Sequence, residues 1–128
     1  MLVNVCIAKL HRATVTDADL NYVGSITIDE ALIDAAGLTA GQIVTINNLS
    51  NAHSWRTYIV EGKKGKGEII LNGPPARLFH KGDIVVIFAF PEEISCGPIL
   101  AISPLRLALR FSGVIVSPTL FRFSGIGL

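Results

Sequence analysis

Cysteine is nearly absent from this 128-residue chain, and the two that occur, Cys6 and Cys96, show no Cys-x-x-Cys spacing. Two thiols are too few ligands for a structural zinc site. Nothing places the chain in a compartment where a disulfide between them is expected. Charge is also scarce: 16% of residues are charged, against about 25% in globular proteins. Eleven Lys and Arg face ten Asp and Glu, so there is no basic excess of the kind that nucleic-acid binders use to cover phosphates. Long hydrophobic runs are missing as well. The longest charge-free apolar stretch, Ile94 to Leu105, contains Pro98 and Pro104 and falls short of the ~18 residues a membrane-spanning helix needs. The apolar start from Met1 to Ala8 has no basic residue ahead of it and runs straight into Lys9, His11 and Arg12, the wrong order for a secretory signal. A cytoplasmic protein with no membrane and no nucleic-acid partner is the expectation.

What the chain does have is apolar residues, at 50% of the total. That excludes disorder throughout and supplies one well-filled core at a length that suits a single domain. So apolar a small domain is expected to hide further surface in an oligomer. Two compositions meet near residue 90. Residues 1–90 read as an ordinary compact domain. From Ile94 onward there is no Asp, Glu, Lys, His, Asn or Gln, and Pro98, Pro104 and Pro118 recur among Leu, Ile, Phe and Ser. Gly113-Val114-Ile115-Val116 has strand composition, but neither the period of a strand nor that of a helix persists. Residues 91–128 therefore read as an atypical apolar tail that adds little to the core.

Within the first ninety residues the signals are mostly β. Leu2 to Thr16, rich in Val, Ile and Thr, suits an extended or bulged strand, and further strands are expected at Ile43–Leu49, Trp55–Glu61, Glu68–Leu71 and Asp83–Phe90. Residues 29–37 form the one convincing helix: Asp29 can cap it, Leu32, Ile33 and Ala36 share a face, and Gly37 can end it. Lys63-Lys64-Gly65-Lys66-Gly67 lacks the spacing of a phosphate-binding loop and reads as a solvated turn. Gly41-Gln42-Ile43-Val44-Thr45-Ile46 matches Gly82-Asp83-Ile84-Val85-Val86-Ile87 at a spacing of 41 residues, which suggests two pseudo-equivalent halves of a small barrel.

Among the polar residues, Lys9, His11, Tyr22, Ser25, Thr57, Tyr58 and Asn72 merit attention. No Ser-His-Asp order, Gly-x-Ser-x-Gly elbow or pair of glycosidase carboxylates is legible. Singly, each has an ordinary structural reading, and Tyr22-Val23-Gly24-Ser25 looks like a turn into a strand. Together they form a pattern. Lys9-Leu10-His11-Arg12-Ala13-Thr14-Val15-Thr16, Ala18-Asp19-Leu20, Tyr22-Val23-Gly24-Ser25-Ile26-Thr27-Ile28-Asp29, Thr57-Tyr58 and Asn72-Gly73 resemble the pyruvoyl-dependent aspartate 1-decarboxylases over about residues 1–90.

The resemblance implies a mainly β fold, a six-stranded double-psi β-barrel with one or two short helices, assembled as a homotetramer with active sites between subunits. It implies a lyase that makes its own cofactor. Ser25 would attack the Gly24 carbonyl, and elimination and hydrolysis of the resulting ester would leave a pyruvoyl group derived from Ser25. Thr57 would stabilise the oxyanion. The pyruvoyl carbonyl would form a Schiff base with L-aspartate, Tyr58 would return a proton after loss of CO2, and β-alanine would leave for pantothenate synthesis. Lys9 would face the acidic substrate. Tyr22, His11 and Asn72 would hydrogen-bond in the pocket, and Gly73, Pro74 and Pro75 would line it. No metal is implied.

Three departures stand out. The family pattern Asn-Gly-x-Arg-x-x-Thr-Tyr is here Asn51-Ala52-His53-Ser54-Trp55-Arg56-Thr57-Tyr58, so the substrate-clamping Arg position is Ser54, and Arg56 becomes a candidate substitute. Asn-Gly-Ala-Ala has become Asn72-Gly73-Pro74-Pro75. The usual closing segment is replaced by the tail. These departures define the alternative reading, a non-catalytic family member that serves as a barrel subunit or interaction module.

Overall fold

The computed structural model describes residues 5–90 and the backbone of Arg110–Phe111 and Val114–Ser117. In chain order the elements are β1 (Ala8–Thr14), β2 (Asp17–Asp19), β3 (Ser25–Asp29), α1 (Glu30–Ala36), β4 (Ile43–Asn48), β5 (Ser54–Gly62) and β6 (Ile69–Asn72). A short 3₁₀ helix (Pro74–Arg77) follows, then β7 (Ile84–Ala89), β8 (Arg110–Phe111) and β9 (Val114–Ser117). The strands form one hydrogen-bonded series, β2-β6-β3-β5-β4-β7-β1-β9-β8. Just past β1, Thr16 donates its N–H and hydroxyl to Ile69 O of β6, at 2.8 and 3.0 Å, which ties the β1 side of the series to its β2-β6 end. The mainly β expectation holds, with one more strand inside residues 8–89 than the six expected. The addition is β2, three residues long, which runs parallel to β6.

Strand β1 carries the anticipated irregularity. Its register against β7 slips between His11 and Ala13, and Arg12, at φ +62°, is the extra residue of the bulge. The two similar hexapeptides lie side by side as β4 and β7. Ile46 pairs with Ile87, Thr45 with Phe88 and Asn47 with Val86, so a pseudo-dyad passes between Ile46 and Ile87. Alternating positions of β4 (Val44, Ile46) and β7 (Val85, Ile87) meet Leu10, Ile59 and Phe79 in the core. Beyond residue 90, Val114–Ser117 runs antiparallel to β1 opposite Lys9–His11. The expectation that the tail adds little to the core falls mostly outside the described residues, as does Cys96.

Helix α1 forms as its caps require. The Asp29 carboxylate accepts the Ala31 N–H at 2.7 Å, and Gly37 ends the helix at φ +69°. Asp29 does more than cap. The same carboxylate accepts N–H groups of Gly65 and Gly67 from the β5–β6 turn. Lys64 of that turn reaches Glu30 and Asp34 at 3.1 and 3.0 Å. The basic tip is thus folded onto the helix. Burial pushes the Asp29 carboxyl up, but the N–H groups of Gly67, Ala31, Gly65 and Lys66 outweigh it and hold the group below the usual carboxylate range. Asp83, which accepts from the His80 N–H and from Asn48 Nδ2, is likewise lowered.

Between β4 and β5 the chain turns through Ala52 at φ +62°. Asn48 O accepts the Ala52 N–H, and Asn51 Oδ1 accepts the His53 N–H at 3.0 Å. A Cβ is unfavourable in this left-handed region by roughly 1 kcal/mol, which accounts for glycine in the motif that this stretch resembles.

Two outcomes are expected. A folded pKa below the unfolded value of about 3.9 means stabilisation that is complete above that value and lost as pH falls through the folded pKa. The melting temperature of the chain should therefore be level near neutrality and decline below about pH 4, while Asp29→Asn should start lower and decline less. Ala52→Gly should raise stability by roughly 0.5–1 kcal/mol in urea unfolding.

Candidate active site

Strand β3 is paired on both sides, parallel to β5 and antiparallel to β6. Ser25, its first residue, is buried opposite Asn72. Asn72 Nδ2 donates to Ser25 Oγ at 3.0 Å and to Thr27 Oγ1 at 2.9 Å, which uses both amide hydrogens. Ahead of Ser25 the chain bends tightly, with the Gly24 N–H donating to Tyr22 O at 3.0 Å. Gly73 follows Asn72 at φ +76° and packs directly on Gly24, and Pro74 lies beside them. Gly24, Ser25, Asn72, Gly73 and Pro74 are thus one cluster. Ile26 pairs with Ile59; continuing that parallel register backward sets Ser25 level with Tyr58 and Gly24 level with Thr57. Pro75 is buried, and Tyr22 is exposed on the turn.

The remaining candidates lie on the outer face of β5-β4-β7-β1, which Tyr58, beside Ser25, joins to the cluster. One cross-strand row runs Arg56, Thr45, Phe88, Lys9, and the next runs Ser54, Asn47, Val86, His11. Tyr58, two residues beyond Arg56, shares that face, whereas Thr57 points to the other side of the strand. Lys9, half-buried, places its Nζ 5.3 Å from the centroid of the Phe88 ring, a cation–π contact. Phe88 stacks on Phe90 at 6.2 Å. The Nδ1 atom of His11 is buried with no hydrogen-bond partner among the described residues. Ser54 donates its hydroxyl to Asn47 Oδ1 at 2.7 Å, so the residue at the clamp position is engaged with its neighbouring strand. Arg56 and Lys9 stand three strand spacings apart, about 14 Å between Cα atoms.

Some of these contacts were not anticipated. Thr27, which shares the Asn72 amide, was signalled by strand alternation, because residues 25 and 27 face the same way. Phe88 as the partner of Lys9 required the register of β1 against β7, which the bulge at Arg12 conceals in the sequence. Among the described residues no group of three or more His, Cys, Asp or Glu side chains could hold a metal ion, and no helix is long and apolar enough to cross a membrane.

Comparison with known proteins bears on this arrangement. The model of the aspartate decarboxylase family matches residues 1–96. The chain is similar to the aspartate 1-decarboxylase of Flavobacterium psychrophilum, with 51% identity over 90 residues, covering 70% of this chain and 78% of the relative. For that of Sulfurimonas denitrificans the identity is 52% over 90 residues, or 70% and 74% of the two chains. For that of Porphyromonas gingivalis it is 52% over 118 residues, 92% of each. A barrel sheet with a buried serine at the head of a doubly paired strand, matched by a family model over three quarters of its length, belongs to the aspartate decarboxylase family.

Proposed function

We propose that this chain is a self-processing aspartate 1-decarboxylase that releases β-alanine for pantothenate synthesis from the cytoplasm. The observation that carries the reading is the Gly24–Ser25 junction: a tight turn ends at a buried serine whose Oγ is held by Asn72. In the first step Ser25 Oγ bonds to the Gly24 carbonyl carbon. Thr57, level with Gly24, donates to the oxygen that gathers negative charge. The Gly24–Ser25 C–N bond breaks, the nitrogen takes a proton, and an ester remains. Loss of the Ser25 Cα proton with cleavage of its Cβ–Oγ bond expels Gly24 as a carboxylate. Water then replaces the nitrogen, which leaves as ammonia, and residue 25 becomes a pyruvoyl group.

That group fits the space that Ser25 occupies. It replaces nitrogen by oxygen and loses the hydroxyl, so it needs no added volume, and Asn72 Nδ2 remains beside it as a donor. When present it supplies a carbonyl that captures the substrate amine and draws off the electrons released with CO2. The chain's own residues do the rest. Lys9 and Arg56 offer cationic partners for the carboxylates of L-aspartate, and Tyr58 returns a proton to the substrate carbon. His11, Tyr22 and Asn72 supply hydrogen bonds, while Gly73, Pro74 and Pro75 wall the pocket.

A homotetramer accommodates the distance of Lys9 and His11 from the Ser25 cluster, since β1 stands four strand spacings from β3 in the series. The outer face that carries Lys9, Arg56 and Tyr58 leaves Ile7, Tyr58 and Phe90 about two-fifths exposed, an apolar surface that a neighbouring subunit would cover. A site shared across that contact would bring Lys9 and His11 of one subunit to Ser25 and Tyr58 of another. Neither the fold nor the relatives favour the non-catalytic reading.

Intact mass of the purified protein should show a fragment of residues 1–24 and one of residues 25–128, and Ser25→Ala should remain full length. The same two fragments from Ser25→Ala would remove the serine from the reaction. A charge-assisted hydrogen bond is worth roughly 1.5–3 kcal/mol, so Arg56→Ala should raise KM for aspartate about ten- to a hundredfold without altering cleavage, and Ser54→Arg should lower KM. Unchanged aspartate kinetics in Arg56→Ala would end its role as the clamp.

A further inference from the structure

We infer that Gly73 is a positioning residue for self-cleavage: its missing side chain sets how closely the turn before Ser25 can approach. The inference deepens the reading of Gly24–Ser25 as the cleavage junction and rests on it. A Cβ built on Gly73 would lie 2.8 Å from both Gly24 Cα and Gly24 N and 3.0 Å from Tyr22 O. All three are backbone atoms of the turn that presents the scissile carbonyl, so no side-chain rotation relieves the clash. Gly73 is moreover tied to the strand leading into that turn, donating its N–H to Asp19 O at 2.7 Å. The turn of residues 19–24 is wrapped around Gly73.

The opposing glycine differs. A Cβ on Gly24 would meet only Pro74 Cδ at 3.7 Å and Asn72 O at 3.9 Å, both ordinary contacts. Steric need for glycine at this meeting of two backbones therefore lies with Gly73. Its surroundings hold it still. Asn72 precedes it in a strand paired to β3, and Pro74 follows in a 3₁₀ turn closed by the Leu78 and Phe79 N–H groups on Pro75 O, with Phe79 fully buried. A rigid wall with no side chain at one point fixes the distance between the Gly24 carbonyl and Ser25 Oγ. Proximity of this kind is sensitive: a misplacement of about 1 Å can cost about a hundredfold in rate.

The backbone of Gly73, φ +76° and ψ −139°, is the mirror image of polyproline II and suits a D-residue without strain. The test compares Gly73→Ala with a ligated full-length chain carrying D-alanine at position 73. Cleavage is followed by intact mass, and folding is checked by thermal melts in the Ser25→Ala background. Gly73→Ala should slow cleavage about a hundredfold or more while remaining folded, and the D-alanine chain should cleave within a few-fold of the parent. Cleavage of Gly73→Ala at the parent rate would overturn the inference, as would equal loss in both chains, because glycine's mobility rather than clearance toward Gly24 would then be what matters. Should Gly73→Ala fail to fold, the D-alanine chain decides alone: parent-like cleavage supports the role and its loss refutes it. A parent chain that never cleaves would instead refute the underlying reading of Gly24–Ser25.

Discussion

The hydrogen-bonded ladders on the two sides of β3 are the constraint on which the site depends. Parallel pairing to β5 sets Ser25 level with Tyr58, and antiparallel pairing to β6 sets it opposite Asn72. A slip of one residue on either side would turn Ser25 to the other face and break the Asn72 bonds. Register is secured at the far end of the strand, where Asp29 gathers N–H groups from α1 and from the β5–β6 turn. A single carboxylate thereby links strand, helix and hairpin, and its lowered pKa reflects that service.

The arrangement divides the work between two regions. Around Ser25 the groups are short and backbone-rich: glycines, a buried asparagine amide and a buried serine hydroxyl. On the outer face of β5-β4-β7-β1 the groups are long, charged or aromatic, with Lys9 lying over Phe88. The first region suits a reaction between neighbouring residues of one chain, and the second suits recognition of a small anion arriving from solution. Departures from the family motif fall on the second region at Ser54 and on the edge of the first at Pro74 and Pro75, while Gly24, Ser25, Thr57 and Asn72 stay within the pattern.

How much was legible follows from local physics. Helix α1 could be read because Asp29, the apolar face and Gly37 all signal it within nine residues. Strands β4 and β7 could be read from their apolar content and shared turn. Strand β2 could not, because Asp17-Ala18-Asp19 has no strand composition and is held by β6, some fifty residues away. The 3₁₀ turn was hidden by two prolines that suit several conformations. Asp29 announced itself only as a cap, since its other partners come from Gly65 and Gly67, apparent only once the hairpin folds back. The proposed cleavage junction was legible through resemblance alone: taken singly, Tyr22-Val23-Gly24-Ser25 is a turn.

Strand order has a consequence for the proposed cleavage. A cut before Ser25 leaves β1 and β2 on one fragment and β3 onward on the other, yet β1 pairs with β7 and β2 with β6. The short fragment is woven into the sheet of the long one. Once separated, the two would have to find each other by diffusion, so refolding of cut protein becomes a second-order encounter, where the uncut precursor folds as one chain. Assembly first and scission afterward is thus the order this topology permits efficiently, and an enzyme cut there would owe its endurance to slow unravelling rather than to easy renaturation.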